Sequence, residues 1–170
     1  MKNILRAVLL LLGLGCTALW AQQNQHLLDG AFTTITDVKL IPNPVKQVLT
    51  PQGSSHLEMA NPGHPWNAGC VVTVLLPQQR LIFAGVSGEK AFVHYEQGGR
   101  AHMWYVKVFK LQPNQTATLL WTGVSGRAAR NLDELRSMIT SGAIRESGRP
   151  RVPSRVPTPA RRGVASTARR

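Results

Sequence analysis

The chain has 170 residues and a formal charge of +12, from 20 Lys and Arg against 8 Asp and Glu. An apolar fraction of 43 % is typical of a folded protein and excludes a chain that is disordered throughout, and two cysteines are too few for a disulfide scaffold. A single long apolar run excludes a multi-pass membrane protein, and the length fits one domain. None of these numbers indicates a molecular function.

The first 21 residues have the pattern of a secretory signal peptide. Lys2 and Arg6 precede the apolar run 7–14, which is too short to span a bilayer, and Ala18 and Ala21 are small residues suited to a cleavage site before the polar stretch 22–25. We therefore expect an exported protein, secreted or periplasmic, whose mature chain has no transmembrane helix.

Each cysteine raises its own alternative. Gly15 before Cys16 fits a bacterial lipoprotein signal, which would make the protein lipid-anchored at Cys16, although Gly13 and Leu14 depart from that pattern. Cleavage after Ala21 leaves Cys70 as the single cysteine, so no disulfide can form within the mature chain. We expect Cys70 to be a small core residue of a β-prone run, with a reactive thiol or an intermolecular bond as alternatives.

The positive charge is concentrated at the C-terminus. Residues 145–170 carry eight Arg and one Glu, or +7, and residues 1–21 carry +2, which leaves +3 for residues 22–144. Four prolines and no aromatic residue predict a disordered tail over 145–170. Such a tail is either a solvated extension or a polyanion-binding segment for an anionic envelope component, and it lacks the aromatics of a specific nucleic-acid reader. Its candidate binding residues are Arg149, Arg151, Arg155, Arg161, Arg162, Arg169 and Arg170.

The middle of the chain predicts an α+β domain over residues 43–144, after a poorly ordered segment 22–42 with a short strand at 35–41. Asn43 and Pro44 suit the start of a helix over 43–49. Five β-prone runs follow at 70–76, 80–84, 91–96, 101–111 and 117–122. Because the linkers between them are too short for parallel crossovers, we expect an antiparallel five-strand meander.

The last predicted element is an amphipathic helix that begins after Asn131, with Glu134 in capping-box position, and ends at Gly142. Its apolar residues share one face, and we expect this helix to cover the sheet; they are Leu132, Leu135, Met138 and Ile139. A short internal repeat predicts two strands that run into the same kind of turn. The repeated sequence is Gly-Val-Ser-Gly, at 85–88 and again at 123–126.

A predicted hairpin around Gly98 and Gly99 holds the candidate site. A three-residue loop, 97–99, would set His94 opposite His102, Glu96 opposite Arg100 and Phe92 opposite Trp104. A two-residue turn would mix polar and apolar residues on each face, so the three-residue loop is favoured. His94, His102 and Glu96 would then share one face and could begin a metal site, although two histidines also form an ordinary cross-strand pair.

No nucleophile elbow, phosphate loop or deaminase signature is present in the sequence, and it implies no cofactor and no catalytic residue. The favoured interpretation is a small exported, non-enzymatic binding or structural module of the cell envelope or extracellular space. One alternative is a metal-dependent or thiol enzyme that uses His94, His102 or Cys70. The other is polyanion attachment through the tail. The oligomeric state is not predicted.

Overall fold

A computed structural model describes residues 26–70, 73 and 75–147. Their strands form one antiparallel six-stranded sheet in the order β1 to β6, so each strand pairs with its neighbours in sequence. The strands are β1 (Thr33–Ile35), β2 (Gln79–Ser87), β3 (Lys90–Gln97), β4 (Met103–Leu111), β5 (Ala117–Ser125) and β6 (Arg145–Glu146); the helices are α1 (Asn43–Leu49), α2 (Leu132–Thr140) and a 3-10 turn (Val38–Leu40). Within these residues, no helix has the length and apolar character needed to cross a bilayer.

The α+β class and the antiparallel meander are therefore confirmed, with six strands rather than five. The hydrophobic core forms two clusters, because alternate residues of the central strand β3 point to opposite faces. One cluster joins Phe92, Val106, Val108 and Trp121 with the α2 residues Leu135, Met138 and Ile139. The other joins Val93, Tyr95 and Phe109 with the α1 residues Val45 and Leu49. Apolar side chains of both helices thus belong to the core.

The predicted strand at 70–76 is wrong for the residues that the structure describes there. Cys70, Thr73, Leu75 and Leu76 lie outside any strand, and Leu75 has a φ of 82° and is 97 % exposed. The buried side-chain amide of Asn67 makes hydrogen bonds of the kind that a neighbouring strand would make. It donates to the carbonyls of Thr73 (3.0 Å) and Leu76 (2.6 Å) and accepts from the backbone amide of Thr73 (2.8 Å). A side chain that satisfies the backbone locally removes the need for strand pairing.

The helix ends follow capping chemistry. At α2 the Asn131 side chain accepts the Glu134 amide at 2.9 Å, as predicted, and Gly142 adopts a φ of 75° just after the helix. Glu134 accepts from the Arg130 amide (2.8 Å) and from the guanidinium groups of Arg127 and Arg130. These bonds lower the pKa of Glu134 to about 2.

The helix α1 differs from the prediction at its start. The capping position is Pro42, which provides no side-chain hydrogen bond, and Asn43 is the first residue of the helix rather than its cap. Pro44 lies in the first turn, where its missing N–H leaves no helical hydrogen bond unmade. The bounds of the helix are otherwise those predicted.

The ordered domain extends beyond the predicted bounds at both ends. Strand β1 and the 3-10 turn lie in the segment 22–42 that the sequence predicted as poorly ordered, and β6 includes the first two residues of the predicted tail. The strand predicted at 35–41 is wrong, since β1 ends at Ile35 and Val38–Leu40 forms the 3-10 turn. The proposed signal peptide, Cys16 and the arginines from Arg149 to Arg170 lie outside the described residues.

The first glycine in each copy of the internal repeat lies close to an aromatic ring of the core. Strands β2 and β5 both end at the serine of the repeat, beyond the predicted strand ends at 84 and 122. The prediction that both run into the same kind of turn is wrong, because Gly88 has a φ of 53° in the β2–β3 hairpin, whereas β5 leads into the loop before α2. A Cβ at Gly85 would lie 2.5 Å from the Phe92 ring, and one at Gly123 would overlap the side chains of Trp121 and Ile144. Both glycines therefore make room for aromatic rings of the core.

Candidate functional site

The β3–β4 hairpin has a five-residue loop, 98–102, rather than the predicted three-residue loop. Gln97 pairs with Met103, Glu96 with Trp104 and His94 with Val106, so the predicted partners Arg100 and His102 are wrong. Gly98, the first residue of the loop, is buried, and a Cβ there would collide with the backbone of Asn67 and Ala68. The register differs from the prediction by four residues, an even number, and therefore keeps Glu96 and Trp104 on one face.

A polar cluster surrounds the buried carboxylate of Glu96, whose side chain is 7 % exposed. Its Oε1 accepts from the Arg80 Nε at 2.5 Å, and its Oε2 accepts from the His102 Nε2 at 2.8 Å. Arg80 lies directly opposite Glu96 in the β2–β3 ladder. A buried carboxylate needs such partners, since an unpaired charge at this depth would be costly.

Two indole rings complete the cluster. The His102 imidazole stacks on Trp104 with the ring centres 4.4 Å apart and meets the Trp66 ring edge-on at 5.2 Å. The Arg80 guanidinium lies over Trp66 at 5.0 Å. We call these five residues, Trp66, Arg80, Glu96, His102 and Trp104, the Glu96 cluster. The loop between α1 and β2 brings Trp66 to it, because Ala60 in that loop pairs with Arg80.

A cleft of about 350 Å³ opens beside the cluster. Trp104, Arg80 and Glu96 form its polar and aromatic side, and the rest of its lining is small or apolar: Pro62, Gly63, Leu81, Ile82 and Ala128. Both Glu96 oxygens already accept hydrogen bonds, and the Arg80 Nε is already committed. The groups that remain for a ligand are the indole ring of Trp104 and the terminal nitrogens of Arg80.

His94 does not join the Glu96 cluster. It is fully buried, its Nδ1 lies 2.9 Å from the carbonyl of Tyr105, and its Nε2 accepts the Ala129 amide at 3.0 Å. These partners fix a neutral ring with its proton on Nδ1. Burial lowers the pKa of His94, and the Tyr105 hydrogen bond and the Glu96 charge oppose that shift only in part.

The structure therefore brings together two of the three predicted metal-site residues. His102 and Glu96 are hydrogen-bonded, whereas both ring nitrogens of His94 are bonded to the backbone. Among the residues that the structure describes, no three His, Cys, Asp or Glu side chains lie close enough together to hold a metal ion. A carboxylate–imidazole pair such as Glu96–His102 can orient a general base, but that role also needs a nucleophile within hydrogen-bond reach.

The hydrogen bond of the Cys70 thiol goes to the hairpin loop rather than to Glu96 or His102. The thiol is free and exposed, so the prediction of a core residue is wrong, and its Sγ donates to the Gly99 carbonyl at 3.6 Å. The segment in which it lies is held by Asn67 outside the sheet, which leaves Cys70 at the surface.

Sequence reasoning missed Trp66 and Arg80. Counting back from the Ser87–Lys90 pair would place Leu81 opposite Glu96, and an irregularity at Ile82 moves Arg80 into that position instead. Charge was the one signal in the sequence. The neighbouring strands β2 and β3 are antiparallel, and Arg80 near the start of β2 could pair with Glu96 near the end of β3. Comparisons with family models, curated proteins and solved structures give no match.

Proposed function

We propose that the protein is a small exported, non-enzymatic binding module of the cell envelope or extracellular space, and that its ligand docks in the cleft beside the Glu96 cluster. One observation carries the proposal: the ionisable groups of the cluster bind one another, while Trp104 and Arg80 line a cleft. A catalytic site needs a group free to take or give a proton, whereas a binding site needs a rigid surface.

The arrangement of the cluster supports a rigid surface. Each aromatic ring contacts another member, and the Arg80–Glu96 and Glu96–His102 bonds tie two strands and the hairpin loop together. A surface held in place before binding loses little conformational entropy when the ligand arrives. A ligand with one flat apolar face and several hydrogen-bond acceptors, such as a sugar ring of an envelope polysaccharide, matches an indole flanked by a guanidinium.

Co-sedimentation with insoluble envelope polysaccharide tests this proposal. We expect the mature chain to sediment with the polysaccharide and Trp104→Ala to lose at least about ten-fold in affinity, which corresponds to about 1.4 kcal/mol. Val48→Ala is the matched control, because Val48 is an apolar side chain on α1 that is 40 % exposed. High salt in every sample removes the contribution of the basic tail. Equal sedimentation of wild type and Trp104→Ala, or no sedimentation of wild type, contradicts the proposal.

Export is the part of the proposal that rests on the sequence alone. The charged start, the short apolar run and the small residues at 18 and 21 support cleavage before Gln22. Mass spectrometry of the native protein should give a mature chain that begins at Gln22 or Leu19. A chain that retains Met1 contradicts export, and a lipid-modified chain that begins at Cys16 supports the anchored form.

A further inference from the structure

A second cleft, of about 430 Å³, lies against helix α1 and shares no lining residue with the cleft beside the Glu96 cluster. Three segments line it: one side of α1, the 3-10 turn and the loop at 55–57. Its volume lies in the usual range of small-molecule sites. The cleft is therefore large enough to hold a small ligand.

Helix α1 forms a polar wall of this cleft. Asn43, Lys46 and Gln47 line it together with Thr50 at the end of the helix. Their spacing of i, i+3, i+4 and i+7 places all four on one face of the helix. The two buried residues of α1 belong to the hydrophobic core instead. The side of the helix that the core does not use is thus the side that meets the cleft.

Positive charge predominates in the cleft. Lys39, Lys46 and His56 line it, and none of the described residues in its lining is an Asp or a Glu. Asp37, two residues before Lys39, does not line the cleft, and its Oδ1 accepts the Lys39 backbone amide at 2.9 Å and the Asn61 side chain at 3.1 Å. Within the part of the chain that the structure describes, neither lysine ammonium forms an ion pair. Both charges are therefore available to an anion.

Hydrogen bonds orient two of the basic groups. The half-buried Lys46 donates from its Nζ to the Lys39 carbonyl at 3.1 Å, which joins α1 to the 3-10 turn and leaves two ammonium hydrogens for a ligand. The Ser55 Oγ lies 3.1 Å from the His56 Nδ1, and a ring that accepts the hydroxyl hydrogen there carries its own hydrogen on Nε2. The cleft thus combines two full positive charges with additional hydrogen-bond donors.

We propose that this cleft binds the phosphate group of a phosphomonoester. Such a group carries a charge of about −1.5 to −2 near neutral pH and has three strong acceptor oxygens. Two unpaired ammonium groups match that charge, and the side-chain amides of Asn43 and Gln47 can donate to its oxygens. Val38 and Leu57, which pack against the core, give the cleft an apolar side for the carbon atoms of the ester. A carboxylate, with one charge and two oxygens, would satisfy fewer of these groups.

An NMR titration of the full chain with glycerol 3-phosphate tests this proposal. We expect saturable shifts of the Lys46, Gln47 and His56 amides with a dissociation constant below about 1 mM, and binding at least about ten-fold weaker in Lys46→Gln. Lys90→Gln is the matched control and should bind as wild type does. The Lys90 ammonium also donates to a backbone carbonyl, that of His26 at 3.3 Å, and lies outside the cleft.

Lys39→Gln separates the charge of the cleft from its structure. The substitution keeps the backbone carbonyl that binds Lys46 and removes only the second ammonium, so we again expect weaker binding. Unchanged shifts of Val93, in the central strand β3, show in each variant that the sheet is intact.

Three results would overturn the proposal. The first is the absence of saturable shifts at the cleft amides, which is also the result expected if only the arginines of the tail bind phosphate. The second is equal affinity in Lys46→Gln and Lys90→Gln. The third is the same set of shifts with glycerol, which has no phosphate group.

Sedimentation with phosphatidylcholine vesicles that contain phosphatidic acid identifies the source of the phosphomonoester. Weaker sedimentation of Lys46→Gln than of Lys90→Gln supports a lipid headgroup as the ligand. Equal sedimentation of the two variants, together with Lys46-dependent binding of glycerol 3-phosphate, supports a soluble ester in the same cleft.

Discussion

Replacing His94 with leucine removes two buried hydrogen bonds with little change of side-chain volume. The Ala129 amide, in a residue that is fully buried, loses its acceptor and is left unpaired, which costs about 1–3 kcal/mol, and the lost bond to the Tyr105 carbonyl adds about 1 kcal/mol. We therefore expect His94→Leu to lower the free energy of unfolding by about 2–4 kcal/mol near neutral pH. Urea denaturation followed by tryptophan fluorescence measures this loss.

The pH dependence of the same variant separates this mechanism from simple loss of packing. Burial lowers the pKa of His94 in the folded state below its usual value of 6.5. The unfolded chain therefore takes up a proton at His94 as the pH falls through 6.5, while the folded chain does not, and the folded state is destabilised. Wild type should lose more stability than His94→Leu between about pH 7.5 and about pH 5. Parallel pH profiles, or a loss under about 0.5 kcal/mol, would refute the reasoning.

Three further variants test other parts of the fold. Gly123→Ala should lower the free energy of unfolding by about 1–3 kcal/mol through overlap with Trp121, whereas Gly126→Ala, which has open space around it, should have little effect; thermal unfolding compares them. The low pKa of Glu134 stabilises the folded state above pH 4.5, and that contribution disappears as the pH falls towards about 2. The free energy of unfolding of Glu134→Gln should therefore fall less steeply with pH than that of wild type over this range. An unchanged pH dependence contradicts this prediction. Asn67→Ala removes three hydrogen bonds to Thr73 and Leu76, so limited proteolysis should cut next to these residues markedly faster while circular dichroism shows unchanged sheet content. Equal cleavage rates would contradict this prediction.

The sequence predicted the local elements of this fold well because their signals are local. The cap at Asn131 and the glycine at 142 act within one helical turn, and the alternation of β3 and β4 is readable residue by residue. The predicted register was wrong by an even number of residues, so the prediction that Glu96 and Trp104 lie on the same face of the sheet was still correct. The Glu96–His102 contact does not follow from that face alone, because His102 lies in the hairpin loop.

The remaining features depend on contacts between distant segments. The run at 70–76 has high β propensity, yet the Asn67 side chain bonds the backbone of Thr73 and Leu76 within it, and no periodicity reveals that. Gly98, the first residue of the five-residue hairpin loop, packs against the backbone at Asn67, a contact that no local pattern reveals. The irregularity at Ile82 brings Arg80 opposite Glu96, and a register shift of this kind leaves no sign in the residue types.

The charge of Arg80 opposes a metal ion at the Glu96–His102 pair, in addition to the small number of ligands there. Its permanent positive charge lies 2.5 Å from the Glu96 Oε1, on the carboxylate that a metal would need as a ligand. A unit charge about 4 Å away at an effective dielectric of about 20 repels another by about 4 kcal/mol, and a divalent cation meets about twice that. We expect no zinc binding by isothermal titration calorimetry at micromolar concentrations for wild type, and none for Arg80→Gln either, because Glu96 and His102 provide two ligands where a zinc site needs at least three. Zinc binding by wild type that is lost in His102→Ala would show that the repulsion is overcome and would restore the metal-site hypothesis.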